Sequence, residues 1–459
     1  MSIPGIPGLG QLASTQAPPP SATRTITLQP LTEWRFQAAH APSPPLQLRL
    51  LSGTAERDGT ELAPQRTYTL AGAASKILTW HGCTLEVSGP CDAAHTAAAE
   101  PAGAIAALNL AFALRRGGGG ATQPGPGPGP GPRVLVCGGP TTGKSTLART
   151  LVALGVRGGA QPLLASVDPR DGMLSLPGTV SVAAFATRLD VESADGGVGV
   201  GGTPSSGPSA VPVKVPLVYF VGRERPGQDM ALWRELTGLL GRAALERMRG
   251  DGEVGRAGLV VDAPGTAEGE GTEMLEHVVQ AFDVNMVVVL GSPTLHMELQ
   301  RRYGLERTRA GEPVHVVGLD KSSGVVEHDA IFMQQFREAA IKEYFFGNAK
   351  RTLSPFTQSV GFDDVTIYTA PDSSHDKQDV LLPVAPSVDL SNCTLAVMHA
   401  ALGDAPEQIR RAAVLGFVYV AEVDSERGRL KVLAPVGGRV GDRPMVWGRW
   451  PEPFIGLLG

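Results

Sequence analysis

Residues 133–151 read RVLVCGGPTTGKSTLARTL. Val134 to Cys137 is a continuous apolar run, the pattern a strand buried on both faces requires. From Gly138 to Ser145 the chain satisfies GxxxxGK[ST], and the residues from Lys144 onward favour helix. A strand before it and a helix after it turn that pattern into a phosphate-binding loop. The glycines let the backbone curl so that successive N–H groups point inward at phosphate oxygens, and the helix N-terminus adds partial positive charge. Lys144 is placed to neutralise β- and γ-phosphate charge, and Ser145 to offer its hydroxyl to Mg²⁺.

Outward from the loop, PLLASVD (162–168), PLVYFVG (216–222), GLVVDAPG (258–265), MVVVLG (286–291) and VHVVGLD (314–320) read as further buried strands. They alternate with helical patterns at 230–248 and 272–282, which predicts a mostly parallel, doubly wound α/β P-loop domain over residues 133–348. The tract 193–215 is expected to be a flexible loop insertion, because lengthening a surface loop costs little entropy. A Mg²⁺-nucleotide site also needs a carboxylate at a neighbouring strand tip. Asp168 and Asp262 both end strands, and each suits a metal, a metal-bound water or the orientation of a nucleophile; Asp168 is taken with Ser145 as the metal pair. Asp262 to Gly265 also matches the DxxG switch of GTPases. The chain's one KxD, Lys377 to Asp379, lies inside a polar stretch rather than at a strand end, so the guanine reader is missing and ATP is the expected nucleotide.

The flanks differ in character. From residue 24 to 96, short alternating runs broken by turns predict five or six strands of an all-β domain. Residues 97–114 favour helix, and 117–132 form a Gly/Pro linker within a helix-plus-linker segment, 97–132. Phe332, Phe336, Ala340 and Tyr344 recur every four residues, a helical stripe for core packing. After residue 349 the β pattern returns, with a hairpin about the turn Asp424 to Gly428, and defines a β-rich C-terminal domain. Residues 1–23 are Pro/Ser/Gly/Ala-rich and expected to be disordered. They contain neither the basic nor the apolar region of a signal peptide.

Composition narrows the classes. The 459 residues suggest about three domains at about 150 residues each. With 42% apolar and 19% charged residues the chain is an ordinary globular protein. A net charge of -5 argues against a protein whose whole surface meets phosphate backbones. Four cysteines without CxxC spacing disfavour a disulfide scaffold or structural zinc.

Beyond the P-loop, several segments resemble the ATP-binding subunit of the eukaryotic pre-mRNA cleavage and polyadenylation factor, in the polyribonucleotide 5′-hydroxyl-kinase family. They are GTAE (53–56) with GTEL (59–62), TWHGC (79–83), LSLPGT (174–179), PLVY (216–219), VVVL (287–290), KSSGVV (321–326), KEYFFG (342–347) and WGRWPEP (447–453), the last like fungal members in particular. The resemblance runs from about residue 24 to the C-terminus. It implies an N-terminal β domain holding the adenosine end of ATP, a central P-loop domain, and a C-terminal domain serving assembly. Carried over by position, Glu33 meets the adenosine, and Thr141, Thr142, Gly143, Lys144, Ser145 and Thr146 meet the phosphates. The family lysine aligns with Ala74; Lys76, two residues along a strand and so on the same face, is its substitute.

The departures imply lost chemistry. RNA-phosphorylating members carry Asp-x-x-Gln where this chain has Asp168 to Asp171, and a Trp that clamps RNA where it has Thr266. Their two lid arginines fall at His328 and Met333. Arginine charge at a transferring phosphoryl group is worth about 10³ to 10⁵ in rate in well-studied cases. The resemblance therefore implies a kinase-inactive nuclear subunit that holds ATP-Mg²⁺ structurally, docks a large scaffold subunit, and meets RNA indirectly or weakly. The alternatives are an active polynucleotide 5′-hydroxyl kinase, with Asp168 as general base, and a regulatory ATPase.

Overall fold

The computed structural model describes residues 23–38, 43–91, 93–97, 101–117, 130–192, 216–266, 271–327, 329–348, 351–370 and 381–458. The expectations for residues 1–22, for the linker at 118–129, for the insertion at 193–215, for His328 and for the KxD element lie outside the described residues.

Among the described residues the central sheet has seven strands in the order Leu217–Phe220, Thr179–Ala184, Leu163–Ser166, Leu259–Asp262, Arg133–Gly138, Met286–Leu290, His315–Leu319. The P-loop strand, Arg133–Gly138, is flanked by two parallel neighbours and every residue of it is buried. That burial explains its unalternating Val/Leu pattern. Thr179–Ala184 was not among the strands read from the pattern. It is antiparallel to both neighbours, which makes the sheet mixed although mostly parallel. Helix Met230–Gly250 packs Trp233, Leu236 and Leu240 on one face of the sheet, and the P-loop helix, Lys144–Arg157, packs Leu151 and Val152 on the other.

Among the described residues the N-terminal module is a sandwich of nine strands rather than five or six. One sheet is ordered Arg24–Leu28, Cys83–Ser88, Leu46–Gly53, Thr67–Leu70; the other is Thr60–Glu61, Glu56–Arg57, Ala73–Thr79, Thr32–Ala38, Ala93–Thr96. Alternation puts Leu48, Leu50, Leu85 and Val87 from the first against Trp34, Phe36 and Ile77 from the second. The core also takes in Val191, which belongs to the chain leaving the central sheet. Arg57 donates to the Val191 carbonyl, and Glu192 accepts from the Thr69 amide at 2.7 Å. The N-terminal and central modules are thereby stitched together.

Among the described residues the C-terminal unit is a seven-stranded, mainly antiparallel sheet in which the hairpin Val414–Asp424 and Arg429–Ala434 pairs around the turn read from the sequence. Helix Ala330–Phe346 joins this unit to the central one. Its second half carries Ala340, Ile341, Tyr344 and Phe345 into the C-terminal core, where the Tyr344 hydroxyl accepts from the Phe417 amide at 2.9 Å. Phe332 and Phe336, nearer its start, are only half-buried, so the apolar stripe is core at one end alone.

Candidate functional site

A cleft of about 1160 Å³ opens at the C-terminal ends of the central strands. Its floor is the P-loop, one wall is the sheet of the N-terminal sandwich that carries Arg35 and Lys76, and its rim is formed by residues from 319–326 and 329–337. Gly138 has φ 146° and its missing Cβ would lie 2.4 Å from the Leu290 carbonyl oxygen, so the loop leaves its strand only as glycine. Thr141 at φ 49° and Gly143 at φ 92° complete the left-handed curl before the helix begins.

Lys144, 7% exposed, donates from Nζ to the Gly139 carbonyl at 2.7 Å. No ion pair within 4 Å is formed by its ammonium among the described residues. Two of its three N–H donors are thus left for an anion inside a buried loop. Thr142 Oγ1 donates to the same carbonyl at 3.0 Å, and the Thr146 hydroxyl faces Arg149 at 3.4 Å. A side chain at Gly265 would come within 3.0 Å of Pro140 Cα and 3.3 Å of Lys144 Nζ, filling the space over the loop.

Ser145 Oγ donates to Asp262 Oδ2 at 2.7 Å, while the second oxygen of Asp262 is buried with no partner. Asp168 lines the same cleft, and its Oδ1 accepts from the Arg170 amide at 3.0 Å. Three carboxyls converge here, and burial pushes all three above the usual range. Asp262 rises to about 6, against the opposing pull of Lys144 and the Ser145 hydrogen bond. Asp168 is raised by burial despite the Arg170 amide and the field of Lys144. Asp171 rises to about 7, through burial first and the neighbouring Asp168 second, with Arg337 opposing. An orphaned Asp262 oxygen beside a serine hydroxyl fits a hard divalent cation. Although three carboxyls approach one another here, no three His, Cys, Asp or Glu side chains among the described residues are arranged to hold one metal ion, so such a cation would take its other ligands from water and phosphate oxygens.

Glu33, only 1% exposed, accepts from Lys76 Nζ at 2.5 Å and from Arg35 at 3.0 and 3.1 Å. Strand pairing sets this up, since Arg35 lies opposite Lys76 and Glu33 two residues earlier on the same strand. Lys76 and Ala74 both line the cleft, as their shared strand face requires. Arg35 escaped the sequence reading because a lone arginine carries no pattern. It also reaches Ser323 Oγ at 3.0 Å, bridging the sandwich to the KSSGVV segment. Changing Glu33 to Gln should remove the charge holding both cations and lower stability by about 1.5–3 kcal/mol in urea unfolding, since each bond lost is charge-assisted. No change would mean that the cluster is solvated.

Thr266, 6% exposed, is tied by its amide to the Gly138 carbonyl at 3.3 Å, and Met333 stands in the cleft. The lid helix nonetheless brings one arginine to the cleft, Arg337, which the spacing gave no reason to single out.

The fold and this loop define a P-loop nucleotide-binding protein. Residues 27–117 match the family described as the N-terminal beta-sandwich domain of polyadenylation factor, 138–347 the mRNA cleavage and polyadenylation factor CLP1 P-loop, and 353–452 the pre-mRNA cleavage complex II protein Clp1. The chain is 52% identical to mRNA cleavage and polyadenylation factor CLP1 of Chaetomium globosum, with 99% of this chain and 100% of the relative covered. It is 48% identical to that of Pyricularia oryzae, over 99% of this chain and all of the relative. Among solved structures it is similar to wild-type Clp1p in complex with a fragment of Pcf11p, at TM-score 0.83 and 26% identity, covering 94% of this chain and 98% of the other. It is also similar to one describing an extended Pcf11p–Clp1p interface and the basis for ATP loss in a glycine-to-arginine point mutant, at TM-score 0.83, 25% identity, and 94% and 99% coverage. The chain belongs to the Clp1 family of mRNA cleavage and polyadenylation factors.

Proposed function

We propose that this chain holds ATP with Mg²⁺ between its N-terminal sandwich and its P-loop domain as a structural ligand. In that role it acts as a subunit of the nuclear pre-mRNA 3′-end cleavage and polyadenylation machinery, docks a Pcf11-type scaffold subunit, and phosphorylates no RNA. The observation that carries the reading is the Lys144 ammonium, held by the Gly139 carbonyl and without a carboxylate partner among the described residues, on one side of a cleft whose other side presents Lys76 and Arg35 from a different module. A ligand spanning both stabilises their closed arrangement.

In this reading Thr141 to Thr146 receive the phosphates, with backbone N–H groups and Lys144 supplying charge complementarity. Lys76 and Glu33 lie on the adenosine side. Ser145 and Asp262 would hold the cation, with Asp168 behind them acting directly or through water; the cation, when bound, screens phosphate charge. At the rim Met333 offers no charge to a transferring phosphoryl group and Arg337, one turn on, is held by Glu452 and the Trp450 ring, so the site favours the ground-state triphosphate over its transition state.

Nucleotide released by denaturing the purified protein should run as ATP on ion exchange; ADP or GTP would contradict the assignment. Incubation with labelled ATP and a 5′-hydroxyl RNA should give neither labelled RNA nor free phosphate above background. Labelled RNA would establish the kinase alternative with Asp168 as base, and phosphate release without it the ATPase.

A further inference from the structure

The segment WGRWPEP lies in the C-terminal unit, yet it is seated against the Asp168 to Asp171 turn, which lines the cleft. Trp450 Nε1 donates to the carbonyl of Arg170 at 2.8 Å, within the Asp168 to Asp171 turn. The amides of Arg449 and Trp450 both donate to the Gly222 carbonyl, at 2.9 and 3.2 Å. Gly448 packs backbone to backbone on Gly222, where an added Cβ would lie 2.5 Å from Gly222 Cα. That approach leaves no room for a side chain.

Arg337 closes the arrangement from above. Its guanidinium lies 4.5 Å from the centroid of the Trp450 ring and donates to Glu452 Oε1 at 2.7 Å. It also lines the cleft together with Arg170 and Asp171. Arg337 Nε, Glu452 Oε2 and Asp171 Oδ1 are all buried without a partner, so this junction is polar and incompletely satisfied. Unsatisfied groups in a low-dielectric setting respond strongly to added charge. Seven residues beyond Arg337 the same helix plants Tyr344 in the C-terminal core.

We propose that Arg337 is a positioning residue that couples the nucleotide cleft to the C-terminal unit, with Trp447 to Pro453 as a latch whose closure depends on what the cleft holds. This rests on the nucleotide reading above. Phosphate charge entering beside the Asp168 to Asp171 turn is attracted by the Arg337 guanidinium, drawing the lid helix inward over Trp450 and tightening the latch on Gly222. The partner-facing shape of the C-terminal unit then differs between loaded and empty protein, although no group in the latch reacts.

Hydrogen exchange of the Arg449 and Trp450 amides in the full chain, with and without ATP and Mg²⁺, tests this. ATP is expected to slow their exchange about tenfold, within the usual range of coupling factors, and by linkage opening of the latch weakens ATP by the same factor. In Arg337→Met, which keeps the stem and removes the charge, ATP should slow the same amides less than about twofold at saturating nucleotide. Glu452→Gln, a milder change that retains an acceptor, should give an intermediate value and serves if the first variant fails to fold. Wild-type amides indifferent to ATP, while titration calorimetry shows that ATP binds, overturn the coupling and leave the nucleotide reading standing. Absence of ATP binding overturns both. Full protection retained in both variants overturns the role of Arg337.

Discussion

Lys144→Ala protein is expected to emerge from purification without nucleotide and to melt at a temperature indifferent to added ATP. The wild type gains RT ln(1 + [L]/Kd) from a ligand that binds only the folded state, about 4 kcal/mol if ATP exceeds Kd a thousandfold. At about 2–4 °C per kcal/mol for domains of 150–250 residues, the lost stabilisation is about 8–16 °C. The size of the effect follows from burial, because Lys144 is 7% exposed and no other lysine lies in the loop to replace its charge. Calorimetric melting with and without ATP reads it directly. Capture of a Pcf11-type partner should fall in parallel, since the two walls of the cleft lose their bridge. A variant that retains no ATP yet binds that partner at wild-type affinity would remove the structural-ligand idea and return attention to catalysis or switching.

Asp262→Asn should do the opposite to the empty protein. Burial lifts the folded-state pKa of Asp262 to about 6 from an ordinary 3.8, so the native fold disfavours its charged form. The associated stability is therefore fully present below about pH 3.8 and is lost as pH rises through 6. The interval from 3.8 to 6 corresponds to about 3 kcal/mol at 1.36 kcal/mol per pH unit. Asp168 and Asp171 are raised as well and act in the same direction. Asparagine keeps an acceptor for the Ser145 hydroxyl and removes the charge. Without nucleotide the variant should be more stable than wild type by about 1–3 kcal/mol at pH 7.5, with the difference vanishing below pH 4. With Mg²⁺ and ATP the order should reverse, because the cation would lose its carboxylate. Urea titrations across that pH range decide it, and an empty variant less stable than wild type at pH 7.5 would show that Asp262 is stabilising as an anion.

The contrast between Asp262 and Asp168 shows what a chain can and cannot disclose before it folds. The loop was legible because everything that makes it is local: the buried run, the glycines, the lysine and the helix lie within nineteen consecutive residues. Both aspartates were visible as strand ends. Their distance from Ser145 was not, because it depends on which strands are neighbours. Leu259–Asp262 lies beside the P-loop strand, and Leu163–Ser166 one place further out, so the later aspartate makes the hydrogen bond. The two-residue strands Glu56–Arg57 and Thr60–Glu61 are too short to carry a period, and Thr179–Ala184 begins on the last residue of LSLPGT, a segment that entered the reading only through the resemblance. Arg35 and Arg337 are single charges whose meaning arises only from partners 288 and 115 residues away.

The valine that the central chain lends to the sandwich bears on the order in which the protein is made. The last strand of the sandwich ends at Thr96, but Val191 is part of its core and Glu192 caps the Thr69 amide. A ribosome delivering about 5–20 residues per second therefore leaves the N-terminal module incomplete for about 5–20 seconds after its own strands have emerged. During that interval its apolar interior has an open slot, and the P-loop strand and helix are synthesised before the slot is filled. The first module thus becomes native only when about a quarter of the second exists, which makes the pair a single unit of biogenesis.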